Sequence, residues 1–176
     1  MRVIYPFTDK RTVASSEALF DFCPTAERVD VSASDTAYAE LLAALWADQE
    51  TFLVVEHDIV IHEGLVAEYE ACDEEWCSSP YFYFGIPVGG TPGGGLGCTK
   101  FSRSLMRRWP TAITQAMEIP YAGHAPWHWC GNDFRIYTLL RRGGSFASEY
   151  PAKRHQTHTE VRHRAGDPSH GCRNKP

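Results

Sequence analysis

The feature that most constrains the fold is an uninterrupted apolar run that ends in charged residues. Thr51-Phe52-Leu53-Val54-Val55 has no polar alternation and passes directly into Glu56-His57-Asp58. A strand with one solvated face alternates apolar and polar residues, whereas a strand covered on both faces by helices is apolar throughout. The run therefore predicts a central strand of a parallel sheet, with acidic residues at the carboxyl edge where open α/β sheets bind ligands.

The segments before and after this run alternate between strand-like and helix-like patterns. Strands are predicted at residues 3–7 and 28–31, and helices at residues 16–22, 38–46 and 64–71. This alternation predicts an α/β fold with a mostly parallel mixed sheet flanked by helices. The 176 residues suit one domain, assigned to residues 1–163 and followed by a basic, flexible tail at 164–176.

Composition and charge exclude several classes of protein. With 43% hydrophobic and 22% charged residues, the chain is not disordered, collagenous or a coiled coil. No apolar run approaches the roughly 20 residues of a membrane span, and the N-terminus turns polar at Thr8, so we expect no membrane span and a cytoplasmic location. The six cysteines show no C-x-x-C spacing, which favours free thiols.

Charge is divided unevenly along the chain. The net charge is −5, of which residues 151–176 contribute +4 and the remainder −9. Such a basic tail either contacts phosphate or nucleic acid or is simply solvated.

Glu56 and Asp58 are candidate metal ligands. They lie two residues apart and so on the same side of an extended chain, where their charges repel. A divalent cation with a preference for oxygen, Mg²⁺ or Mn²⁺, would relieve that repulsion, and the alternative is a solvated polar turn.

Late in the chain, three histidines offer a further ligand. His155, His158 and His163, with His170 and Cys172 nearby, are compatible with a structural zinc site. The alternative that we prefer places His158 on the same ion as Asp58, with His163 in reserve.

Residues 85–97, with seven glycines and two prolines, are predicted to form an irregular loop that closes over a ligand. Trp127 and Trp129 offer aromatic faces that suit sugar rings or, alternatively, pack in the core. Ser102 and Asn132 are predicted to cap helices.

Four segments in succession resemble glycosyltransferases of the A-type (GT-A) fold, of the small bacterial or phage type. Residues 52–61 resemble the region around the D-x-D motif, and residues 96–102 resemble the strand that lines the acceptor side. Asn132-Asp133 resembles the acidic pair that supplies the base, and His158 and His163 resemble the late histidine of the metal site. Glu56 departs from the usual opening Asp, and the first 50 residues make a minimal nucleotide-binding half.

The resemblance implies a metal-dependent, inverting transfer of a sugar from a nucleotide-sugar donor. Asp133 would be the catalytic base, or else an ordinary helix-capping residue. Glu56, Asp58 and a late histidine would hold Mn²⁺ or Mg²⁺. Asp30 would meet the base or ribose of the donor, or else be a loop residue, and Gly97 would line the donor and acceptor site.

The acceptor is left open as a glycan, a protein or a nucleic acid. Two other functions also stay open. One is a non-catalytic module on the same fold that binds a nucleotide, a glycan or nucleic acid, and the other is a zinc-stabilised interaction protein.

Overall fold

The described residues form ten strands and six helices. The computed structural model describes residues 1–8, 14–83, 86–88, 96–129, 131–142, 155–157 and 162–163. The strands are β1 (Arg2–Phe7), β2 (Glu27–Asp30), β3 (Phe52–Val55), β4 (Ile59–Val60), β5 (Trp76–Ser78), β6 (Tyr81–Tyr83), β7 (Ile86–Val88), β8 (Cys98–Phe101), β9 (His155–Thr157) and β10 (Arg162–His163). The helices are α1 (Ala14–Phe22), α2 (Ala37–Asp48), α3 (Leu65–Ala71), α4 (Arg103–Arg108), α5 (Ala112–Met117) and α6 (Asn132–Arg142).

Six strands make one sheet in the order β2-β1-β3-β8-β5-β9. The pairs β1–β2, β1–β3 and β5–β9 are parallel, and β8 is antiparallel to both of its neighbours, β3 and β5. All strands except β8 therefore point the same way, and their carboxyl ends meet at one edge beside the residues that precede β8. The predicted α/β class, with a mostly parallel mixed sheet flanked by helices, is confirmed.

Strand β3 is buried on both faces, which explains its uninterrupted apolar sequence. Phe52 and Val54 belong to an apolar cluster with residues of α2, α5 and α6. Leu53 and Val55 belong to a second cluster with residues of α1 and α3. Successive side chains of a strand point to opposite faces, so helices on both sides require apolar residues at every position.

The prediction of an irregular loop at residues 85–97 is wrong at Ile86–Val88. These residues form β7, which pairs antiparallel with β6 in a separate two-stranded sheet. Pro87 is tolerated there because a two-stranded ribbon has edge positions that need no backbone N–H donor. Residues 89–95 lie outside the described residues, and closure of this loop stays a prediction.

The two predicted helix caps have different outcomes. Ser102 caps α4 as expected, since its hydroxyl accepts a hydrogen bond from the Leu105 N–H at 3.2 Å. The prediction for Asn132 is wrong, because Asn132 lies within α6 and is fully buried. Among the described residues, neither polar atom of its side chain has a hydrogen-bond partner.

The longest described helix, α2, has 12 residues, and none of the helices described has the length and apolarity that crossing a membrane requires. Cys23, Cys72, Cys77 and Cys98 are free thiols, as predicted. Residues 164–176 lie outside the described residues, and the domain boundary at residue 163 stays a prediction.

Candidate active site

Glu56 and Asp58 lie in a tight turn at the carboxyl end of β3. The backbone N–H of Glu56 donates to the Gly97 carbonyl at 2.8 Å, which continues the pairing of β3 with β8. The Glu56 carbonyl accepts from the N–H of Ile59 at 2.9 Å, and β4 begins there. Both carboxylates are partly buried. The turn therefore holds two acidic residues at the sheet edge predicted to bind ligands.

Asp133 reaches the same place from the first turn of α6. Its carboxylate accepts hydrogen bonds from its own N–H and from the N–H of Leu96, just before β8. It is close enough to interact electrostatically with Glu56 and Asp58. We call these three carboxyl groups the acid cluster. It joins residues about 75 positions apart in the chain, so the fold and not local sequence assembles it.

Burial and repulsion between carboxylates raise the pKa values of Glu56 and Asp133. The pKa of Glu56 is raised well above its ordinary value, first by burial and then by Asp133 and Asp58. The Tyr38 hydroxyl opposes this shift by donating to Oε1 of Glu56 at 2.6 Å. Burial is also the main cause that raises the pKa of Asp133 to about 6, against its two backbone hydrogen bonds. A cation would be favoured here, because it would relieve the repulsion.

As a metal site, the acid cluster offers an oxygen donor set. Carboxylate oxygens suit Mg²⁺ or Mn²⁺, and Glu56 and Asp58 fit such an ion in donor chemistry. Within the described part of the chain, however, no group of three His, Cys, Asp or Glu residues is placed to hold a metal ion.

The backbone brings one late histidine to this turn. Strand β10 pairs antiparallel with β4, and His163 stands opposite Ile59, the residue after Asp58. His158 lies outside the described residues and directly follows β9, whose carboxyl end is at the same edge of the sheet as that of β3. The register thus places His163, the reserve candidate, beside the turn, and the choice between the two stays a prediction.

The other predicted site residues are placed as follows. Asp30 ends β2, is exposed, and accepts hydrogen bonds from the N–H and hydroxyl of Ser32 at 2.8 and 2.6 Å, which lower its pKa. Gly97 is buried and contributes its carbonyl to the Glu56 turn. Trp127 packs against the apolar cluster of α2, α5 and α6, whereas Trp129 is 38% exposed.

Sequence reasoning missed three residues that shape the site. The helical period of α2 places Tyr38 among the apolar core residues, and it gives no sign that the Tyr38 hydroxyl donates to Glu56. Gly131, at φ +90°, leads into α6, and an added Cβ would overlap the Tyr121 ring. Arg135 is fully buried in α6. A glycine directly before Asn132-Asp133 was an available signal, whereas nothing in the sequence distinguishes Arg135 from a solvated arginine.

Comparisons with known proteins bear on the fold. No family model and no curated protein sequence matches this chain. The crystal structure of A197 from STIV is similar with a TM-score of 0.51 and 12% identity, over 92% of this chain and 83% of that chain.

Two glycosyltransferase structures have lower scores. One, involved in the glycosylation of the major capsid of PBCV-1, has a TM-score of 0.49 at 10% identity, over 90% of this chain and 81% of that chain. Galactosyltransferase LgtC, solved with donor and acceptor sugar analogues, has a TM-score of 0.48 at 10% identity, over 96% of this chain and 88% of that chain. These two likenesses show neither the activity nor the substrate of this chain, and the likeness to A197 shows a shared fold.

Proposed function

We propose that this protein is a metal-dependent, inverting glycosyltransferase that moves a sugar from a nucleotide-sugar donor to an acceptor hydroxyl. The acid cluster carries the proposal, because it joins two carboxylates of one turn to a third carboxylate on a separate helix. Such a division suits a reaction in which one group binds the leaving diphosphate and another receives a proton. The order of motifs resembling A-type glycosyltransferases supports the same assignment.

Asp133 would act as the general base. In the reaction, the acceptor oxygen bonds to the anomeric carbon, the bond to the diphosphate breaks, and Asp133 takes the acceptor proton. A pKa of about 6 leaves this carboxyl largely ionised at neutral pH and more basic than an ordinary aspartate. Attack on the face opposite the leaving group inverts the anomeric configuration.

Glu56 and Asp58, with His158 or His163, would bind Mn²⁺ or Mg²⁺. When bound, the ion supplies positive charge that favours departure of the diphosphate. The hydrogen bond from Tyr38 orients the Glu56 carboxyl in the turn. Asp30 would contact the base or ribose of the donor from the end of β2.

Donor binding and donor hydrolysis test this function without knowledge of the acceptor. A panel of nucleotide sugars is screened by thermal shift with and without Mn²⁺, because a ligand of the folded state raises the melting temperature. Asp58→Asn should abolish the Mn²⁺-dependent shift. Asp133→Asn should keep the shift and reduce donor hydrolysis by about 10²–10⁴-fold.

Asp73→Asn, at an exposed position, is the matched control and should change neither measurement. Unchanged donor affinity in Asp58→Asn would contradict the assignment of Asp58 as a metal ligand. Unchanged turnover in Asp133→Asn would contradict the assignment of Asp133 as the general base. Retention of anomeric configuration would contradict inversion. Stoichiometric zinc in the purified protein, or metal-independent binding of polyanions alone, would instead support one of the two non-catalytic alternatives.

A further inference from the structure

The segment between α5 and α6 carries a row of stacked rings. The ring centroids of Tyr121 and His124 are 6.1 Å apart, those of His124 and His128 4.7 Å, and those of His128 and Trp129 5.8 Å, with interplanar angles of 19–24°. Phe134, in the first turns of α6, continues the row at 5.1 Å from Tyr121. We call these five side chains the aromatic ladder. Stacking covers the faces of the inner rings, so the row offers their edges and the rings at its two ends.

Part of the aromatic ladder faces solvent. Trp129 is 38% exposed and Phe134 is 41% exposed, and they are two of only four exposed large hydrophobic side chains in the described part of the chain. They stand at opposite ends of the row, Trp129 beside His128 and Phe134 beside Tyr121, so each end of the row presents an exposed ring to solvent.

The backbone beneath the aromatic ladder is strained and firmly held. Ala122 has φ 44° and Trp127 has φ 68°, a region that L-residues other than glycine rarely adopt. The guanidinium of Arg135 donates to the carbonyls of Ile119, Ala125 and His128 at 2.8, 3.0 and 3.1 Å. Strain of this kind persists only where surrounding structure imposes it, and it clusters at functional sites.

The aromatic ladder adjoins the acid cluster. Phe134 directly follows Asp133 in α6. Gly131 packs against the Tyr121 ring so closely that no side chain fits between them. The first turn of α6 thus carries both the proposed general base, Asp133, and the Phe134 end of the aromatic ladder.

We propose that the two end rings of the aromatic ladder, Trp129 and Phe134, bind pyranose rings of the acceptor, so that the acceptor is a glycan; this inference rests on the proposed function. Sugar rings present apolar C–H faces to aromatic rings and hydroxyl groups to polar edges. Here the edges include His128, whose Nε2 lies 3.7 Å from Oδ2 of Asp35. The rigid backbone lowers the entropy cost of binding.

Two other acceptor classes fit less well. A stable protein interface buries about 800 Å² on each partner, far more than two half-exposed rings offer. Nucleic acid would bring a run of phosphates to the surface beside Asp35, on a chain of net charge −5, where like charges repel.

Saturation-transfer NMR with methyl glycosides of glucose, galactose, mannose and N-acetylglucosamine, each at millimolar concentration, tests the inference. Donor and metal are left out. At least one glycoside should bind the wild type, Trp129→Ala and Phe134→Ala should each reduce its saturation-transfer signal, and the double variant should weaken its binding about five- to tenfold. Phe22→Ala, at another exposed aromatic on α1, is the control and should leave binding unchanged.

Absence of a signal with every glycoside, or equal binding by the wild type and both ladder variants, would overturn the inference. So would weaker binding of nucleoside diphosphate in Trp129→Ala with glycoside binding unchanged, because the rings would then serve the donor. Circular dichroism of each variant checks the fold. The assay measures glycoside binding without sugar transfer. If the glycoside binds through the aromatic ladder but the protein does not hydrolyse any donor, the proposed transferase activity is contradicted and the glycan-binding inference stands.

Discussion

The acid cluster and the guanidinium of Arg135 are both charged groups that the fold withdraws from water, yet their surroundings differ. Arg135 is fully buried, and its three donated hydrogen bonds end on carbonyls of one segment. Burial lowers its pKa from the ordinary value, while Glu118 opposes that shift. In the acid cluster, by contrast, burial and neighbouring carboxylates both raise the pKa of Glu56, and the hydrogen bond from Tyr38 offsets only part of that shift.

This difference separates a group that maintains structure from groups poised for a ligand. Arg135 meets acceptors supplied by the protein itself, so removing it leaves those acceptors unsatisfied. The acid cluster brings like charges together at a sheet edge, so removing one charge relieves repulsion. Loss of charge should therefore have opposite effects on stability at the two places.

The largest expected effect is at Arg135. Arg135→Met removes three donors and should lower the free energy of unfolding by about 4 kcal/mol, because the three carbonyls that the buried guanidinium joins lose their partner. Arg103→Met, at an exposed position on α4, should change it by less than about 0.5 kcal/mol. Urea unfolding of both variants measures the difference. Equal small effects would mean that water replaces the guanidinium and that Arg135 does not hold the segment.

Gly131 tests whether the start of α6 depends on close packing. Gly131→Ala adds a Cβ that overlaps Tyr121 at a residue with φ +90° and should destabilise the protein by about 3 kcal/mol. Gly64 has a similar φ of +85° with nothing within 4 Å of an added Cβ. Gly64→Ala should therefore cost only about 1–2 kcal/mol, the backbone contribution. Equal losses on urea unfolding would show that the Tyr121 ring moves aside freely.

An effect of opposite sign is expected at Asp133. Its pKa of about 6 in the folded protein exceeds the ordinary 3.8, so the folded state retains a proton that the unfolded chain has lost. The stabilisation from that proton is complete below about pH 4 and is lost as pH rises through about 6. Asp133→Asn should therefore be more stable than the wild type at pH 7 by up to about 3 kcal/mol.

Melting curves of the two proteins at pH 4 and pH 7 check this sign. The gain should shrink at pH 4, where wild-type Asp133 is also neutral. Asp73→Asn should show no comparable gain at pH 7, because Asp73 is exposed. A variant that is less stable than the wild type at pH 7 would identify Asp133 as a helix-stabilising residue and remove the contrast with Arg135.

Much of the fold could be predicted because its signals are local. The apolar run of β3, the period of α2 and the cap at Ser102 each reflect interactions within a few residues. The strand at Ile86–Val88 was missed because the surrounding glycines and prolines outweighed a short pairing with β6. Its stability comes from the partner strand and not from its own composition.

The sequence by itself determined that β3 is central and that Glu56 and Asp58 lie at its carboxyl end, because period and composition specify burial on both faces. Only the tertiary structure decided which distant groups join them. Asp133 reaches them from α6, where its carboxylate accepts from the N–H of Leu96, and Tyr38 reaches Glu56 from α2. The segment that carries the aromatic ladder is held to α6 by the hydrogen bonds that Arg135 donates to its carbonyls. These contacts depend on where and at what angle each helix packs against the sheet, whereas the apolar period of a helix specifies only which of its faces is covered.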